Sequence, residues 1–313
     1  MTLDKLGLHI FSTLVFPGFF FTAMVGLFLT WVDRKVTAVV QSRMGPPWFQ
    51  PYADIGKLLG KQMLIPRGSR RVGFLLAPLI ALAGSTLAAV IVFQALFDPA
   101  ASFVGDIIVL VYLAALPPIA LIIAGAASRS PFGAIGAGRE MSMVLAYEVG
   151  FVLAITIALI KTGSLRFSEL SAYQAAHGPL LFSLSGLIAL VVALFCAQAK
   201  LGYLPFDISE ADTELIGGPL AEYSGSGLAL FKLAVAMTFF HLPAFLVILF
   251  MGPIEPNLFS MAGFLIKLAI LLFLIIIVKS THARLRLDQA LHLFWGKLAI
   301  LALAGVFLAL IGW

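Results

Sequence analysis

A chain of 313 residues that is 61% hydrophobic and 11% charged, with a mean hydropathy of +1.07, has the composition of a polytopic membrane protein and excludes a packed soluble core. The net charge of +5 would suggest nucleic acid in a soluble chain; here it reads as a topology signal and an attraction for anionic lipid. One cysteine, Cys196, excludes an internal disulfide, a cysteine cluster for iron–sulfur binding and a CxxC motif.

Crossing about 30 Å of hydrocarbon takes about 20 apolar residues in a helix, and lipid leaves the backbone no other partner than itself. Windows of that size predict eight spans, at 10–32, 72–97, 104–126, 140–161, 180–200, 225–250, 259–279 and 291–312. The expected fold is an all-α integral membrane bundle of about eight helices, one domain over 1–313, with an amphipathic helix on its surface. The opening residues lack the basic region and cleavage site of a signal peptide and read as the lead-in to the first span. Fourteen of the 20 lysines and arginines fall in connections on one side. The positive-inside rule makes that side cytoplasmic and puts both termini outside.

The first connection, 31–71, carries Asp33, Arg34, Lys35 and Arg43 on an extension of the first helix that Gly45-Pro46-Pro47 should end near Arg43. A second helix over 52–64 has an apolar stripe of Tyr52, Ile55, Leu58, Leu59 and Met63, with Asp54, Lys57 and Lys61 on its polar side. That pattern suits an interfacial helix, and its basic face equally suits a soluble acidic partner. Between the third and fourth spans, Gly133, Gly136 and Gly138 do not form a dinucleotide loop, since no strand precedes them and the spacing is wrong. Glu140 falls at the mouth of the fourth span and Glu148 about two turns, or ~12 Å, deeper. An intramembrane carboxylate faces a bundle interior. Glu148 reads as a proton relay or a buried pair, and Glu140 as a relay or a partner of Arg139 or Arg129.

The fifth connection holds five of the 15 acidic residues in "PFDISEADTELIGGPLAEYSG", 205–225: Asp207, Glu210, Asp212, Glu214 and Glu222. One reading is a solvated loop that opens a helix, Ser209 and Asp212 forming a loose capping box. The other is a helix that presents Asp207, Glu210 and Glu214 on one face at i, i+3 and i+7, where crowded like charges raise one another's pKa. Lys232 either snorkels or partners these acids, and Lys267 snorkels on the other side. His241, His282 and His292 assemble no metal spacing, and no hydrolytic constellation or redox-cofactor motif is present.

Five stretches in order, "DRKVTAVVQSRMGP" (33–46), "ADIGKLLGK" (53–61), "AYEVGF" (146–151), the acidic stretch, and "RLRLDQALHLFWGKL" (284–298), resemble the membrane subunit 1, or H, of respiratory complex I and of the related energy-converting [NiFe] hydrogenases. Asp33, where quinone-reducing relatives usually have glutamate, and the segments "GAGREMSMVLAYE" and "GGPLAEYSG" look more like the hydrogenase branch, including ferredoxin-driven sulfur-reducing complexes.

The resemblance implies a subunit with no cofactor of its own. It would join a peripheral arm, bearing iron–sulfur clusters and in hydrogenases a nickel–iron site, to antiporter-like membrane subunits that move H⁺ or Na⁺. Glu140, Glu148, Asp207, Glu210, Asp212, Glu214, Glu222 and Lys232 would carry the ion relay. Asp33, Arg34, Lys35, Arg43, Asp54, Lys57, Lys61, Arg284, Arg286 and Asp288 would dock the arm and balance charge. No catalytic residue or metal ligand is expected. The alternatives are a quinone-binding subunit of a complex I-type dehydrogenase and a freestanding ion or solute transporter, against which the absence of an internal repeat counts.

Overall fold

The computed structural model describes residues 3–97, 102–252 and 258–312, and the regular structure among them is helical throughout. The helices are α1 (Leu3–Leu14), α2 (Phe19–Val40), α3 (Gln50–Leu59), α4 (Arg71–Phe97), α5 (Asp106–Ser128), α6 (Pro131–Thr162), α7 (Phe167–His177), α8 (Leu184–Lys200), α9 (Asp212–Leu215), α10 (Gly225–Phe250), α11 (Leu258–Thr281), α12 (Leu287–Leu291) and α13 (Ala299–Ile311). A π-helical segment, His292–Leu298, joins α12 to α13. Among the described residues, seven helical stretches are long and apolar enough to cross a membrane, and α8, with 17 residues, is a shorter apolar helix.

α10 is the axis of the bundle. Apolar on all sides, it is buried without interruption from residue 236 to 250, against α2, α4, α8 and α11. Contact with α2 depends on Gly26, because a Cβ there would collide with the Ala236 carbonyl. α6 packs on α5, α8 and α13, and Phe151 meets Phe245 of α10 edge-on at 6.2 Å.

Three local expectations give way. The acidic stretch does not form a long helix: turns occupy 201–208, α9 has only four residues, and a 3₁₀ turn follows at Gly218–Leu220. Pro205 supplies no donor, and Ile216, Gly217 and Gly218 all adopt positive φ, which reverses the chain. The interfacial helix ends at Leu59, short of the expected 64, and Leu59 itself is exposed. Its Tyr52 hydroxyl donates to the Met24 carbonyl at 2.8 Å, fastening α3 to α2. The helix of the fourth span starts at Pro131, nine residues before the expected 140, so Glu140 lies about two and a half turns inside α6.

The first and fifth connections are joined. The Leu64 N–H donates to Ser224 Oγ at 3.1 Å, and Gly225, at φ 58°, lies so close to the Lys61 and Gln62 carbonyls that a Cβ would stand 2.5 and 2.7 Å from them. Two residues before Gly225, Tyr223 stacks on Phe74 of α4, ring centroids 4.0 Å apart, and donates to its carbonyl at 2.9 Å.

Candidate functional site: a file of carboxylates

Because the acidic stretch runs as turns, its carboxylates diverge. Asp207 accepts from Arg284 at 2.8 Å. Glu214 is exposed and accepts from Arg139 at 2.6 Å, a contact that holds its carboxyl below the usual glutamate range. Arg139 is thereby committed to Glu214 and not to its neighbour Glu140. Arg139, Glu214 and Arg284 border a cleft of about 660 Å³ shared with Arg286.

Glu210 points inward and borders two cavities. The outer one, about 220 Å³, lies between α2, α3 and α10 and is lined by Arg34, Asp54, Tyr203, Glu210 and Lys232. Arg34 donates to Asp54 at 2.9 Å and lowers its carboxyl below the usual aspartate range. The inner cavity, about 110 Å³, has room for about three waters. Its polar lining includes Glu140, Lys200, Tyr203, Ser209, Glu210 and Thr238. The Ser209 hydroxyl bonds the Glu140 carboxylate. Pro117 and Pro118 of α5 form part of the wall, where proline deprives the preceding turn of its donors.

Lys200 carries the file onward. Its side chain has no solvent exposure, and its ammonium donates to Glu148 at 2.6 Å while lying 4.8 Å from the centre of the Phe151 ring. Glu148 in turn lines a groove of about 390 Å³ between α5 and α6, otherwise apolar apart from Tyr112 and Thr156. Polar groups therefore run in contact or across a shared cavity from Asp54 and Arg34 to Glu210, Glu140, Lys200 and Glu148.

The NADH dehydrogenase family matches residues 12–310. The chain belongs to that family. The H-type subunit of the NADH-quinone oxidoreductase of Bacillus cytotoxicus is 32% identical over 289 residues, 88% of this chain and 86% of that protein. Its counterpart in Brevibacillus brevis is also 32% identical, over 88% of this chain and 85% of its own length. Among solved structures, a chain of the membrane-bound sulfane sulfur reductase, an archaeal respiratory membrane complex, is 29% identical and superposes with a TM-score of 0.88 over 97% of this chain and 99% of that one.

Within this NADH dehydrogenase-family fold the remaining residues singled out from the sequence separate by position. Asp33 is buried and accepts from Lys279 of α11 at 2.6 Å, with the ammonium 4.2 Å from the Tyr203 ring centre. It balances charge inside the bundle and is not on a docking surface. Burial, reinforced by the Asp33 charge, pushes the Tyr203 phenol well up. Lys35, Arg43, Lys57, Lys61, Glu222, Arg286 and Asp288 are exposed on the connections. The Asp212 side chain lies outside the described residues. Lys267 donates to the Met251 carbonyl at 2.7 Å just past the end of α10. Lys200, Lys279 and Tyr203 are absent from the sequence candidates for the site, while Arg139 entered only as a partner for Glu140 and Ser209 only as a helix cap. Nearness to carboxylates in space marks the first three, and no local spacing carries that.

Proposed function

We propose that this chain is the membrane subunit that transmits redox events in a peripheral arm to ion movement in neighbouring membrane subunits. The family assignment makes it a membrane subunit of a multi-subunit respiratory oxidoreductase. The observation that carries the coupling reading is Lys200, which borders the same cavity as Glu140 and pairs with Glu148 at the α5–α6 groove. A charge gained at the outer cavity alters the balance at Glu210 and Glu140. The shared lysine then relaxes or tightens its hold on Glu148, and the groove presents that change to an adjoining antiporter-like subunit.

On this reading the arginine-rich connections face the cytoplasm and both termini the outside. Peripheral subunits with iron–sulfur clusters, and in a hydrogenase-type arm a nickel–iron site, rest on the cleft of Arg139, Glu214, Arg284 and Arg286, with Lys35, Arg43, Lys57, Lys61, Glu222 and Asp288 around it. The high structural likeness to the sulfane sulfur reductase chain favours the hydrogenase-type branch that the sequence resembles. In proteoliposomes of the purified complex, Glu148→Gln should sustain electron transfer while ion translocation falls at least about tenfold; unchanged translocation refutes the relay.

A second reading has its own support. The 220 Å³ cavity between α2 and the interfacial α3 suits a ring-sized headgroup, and the curated relatives are named NADH-quinone oxidoreductases. Bound quinone in the purified complex, together with quinone reduction, would favour it; the absence of both removes it.

A further inference from the structure

We propose that Arg67, Arg70, Arg71 and Arg129 form a headgroup site for an anionic phospholipid whose acyl chains lie along the outer face of α4. The four residues meet where α5 ends and α4 begins. The Arg70 N–H donates to the Ala127 carbonyl at 3.0 Å, and the Ser69 N–H to the Pro66 carbonyl at 3.2 Å, so the turn is fixed against the end of α5. Arg129 terminates α5 at φ 55°, and one guanidinium nitrogen passes 3.9 Å from where a Cβ on Gly68 would stand.

The arginines lie at the surface, and among the described residues none of the four forms an ion pair. Arg34, Arg139, Arg166 and Arg284, by contrast, each hold a carboxylate. Nor does the local sequence offer one: no aspartate or glutamate occurs from 55 to 97 or from 107 to 139. Four uncompensated like charges at a helix junction call for an external anion, and juxtamembrane basic clusters draw anionic lipid.

The surface below the cluster decides the class of anion. One residue after Arg71 an exposed apolar stripe begins, Val72, Leu75, Leu76, Leu79 and Leu87, on one face of a membrane-crossing helix. It runs about 22 Å down α4, enough for acyl chains. An acidic protein surface would neutralise the arginines and leave the stripe bare; a phospholipid covers both. The site requires only that α4 be embedded, whichever side the arginines face.

The test uses the intact complex in nanodiscs of phosphatidylcholine with a minor share of phosphatidylglycerol. A photoactivatable phosphatidylglycerol should crosslink to peptides within 66–87 on the wild-type chain, and lipid retained after detergent extraction should be enriched about tenfold in phosphatidylglycerol. Replacing all four arginines by glutamine should return that ratio to bulk. Wild-type protein with no enrichment, or with crosslinks elsewhere, overturns the proposal without appeal to any variant. So does a variant that keeps its lipid but sheds soluble subunits, which would assign the arginines to an acidic partner protein.

Discussion

Lys200 and Glu148 meet at 2.6 Å across the α6–α8 interface, the lysine fully enclosed and the glutamate opening onto a groove of the bundle's outer surface. A charge pair so placed costs desolvation energy on both sides and persists only while both partners remain. Replacing either alone, by Glu148→Gln or Lys200→Met, should therefore destabilise the chain by about 3 kcal/mol. The double replacement should recover most of that loss. A double-mutant cycle on thermal unfolding in detergent measures the coupling, and simple additivity would contradict it.

Glu140 differs in having a serine for its partner and a cavity beside it. Glu140→Gln keeps the shape and the hydrogen bond but removes the charge. Ion translocation in proteoliposomes should fall about tenfold or more at near-normal electron transfer, with Glu140→Asp intermediate. Loss of electron transfer in parallel would instead mean a defect of assembly.

The surface pairs set a pH window. Asp54 and Glu214 are both held below their usual values, chiefly by hydrogen bonds from Arg34 and Arg139. Each contributes stability that is present above the unfolded-state pKa, near 3.8 and 4.5, and is lost as pH falls through the lowered folded value. Hydrogen exchange of α3 should then be flat, after correction for intrinsic rates, from pH 7 to 5 and should rise only in stronger acid. Solvent screening keeps the Arg34–Asp54 pair below about 1 kcal/mol. Loosening of α3 above pH 5 would show that other groups hold it.

Gly26 sets the separation of α2 from α10. Gly26→Ala should push the helices apart and cost about 1–3 kcal/mol in thermal stability, as overpacking does. Gly263→Ala serves as the control, because no atom lies within 4 Å of a Cβ there. Equal stability of the two variants would refute the close approach.

The long apolar runs were legible because a membrane helix needs them, and Glu148 stood out as a carboxylate within one. Its partner did not. Lys200 lies 52 residues away, Arg139 is 75 from Glu214, and Arg284 is 77 from Asp207. Pairing over such distances is decided by packing, and the composition of each segment is silent about it. The spacing of Asp207, Glu210 and Glu214 was genuine helical periodicity, yet Pro205 and the positive-φ run at 216–218 outweigh it. α7 escaped notice because its 11 residues, with alternating polar and apolar character, form no long apolar run. Asp106 secures it by accepting from the Phe167 N–H at 3.2 Å, a contact between separate segments.

The seam between Leu64 and Ser224 makes the two long connections mechanically one plate, with the enclosed α10 rooted in it. A load applied anywhere on that plate reaches the middle of the protein without passing through a flexible tether. Clipping the chain between 61 and 64 would part α3 from the seam and leave the fifth connection rooted in α10 through Gly225.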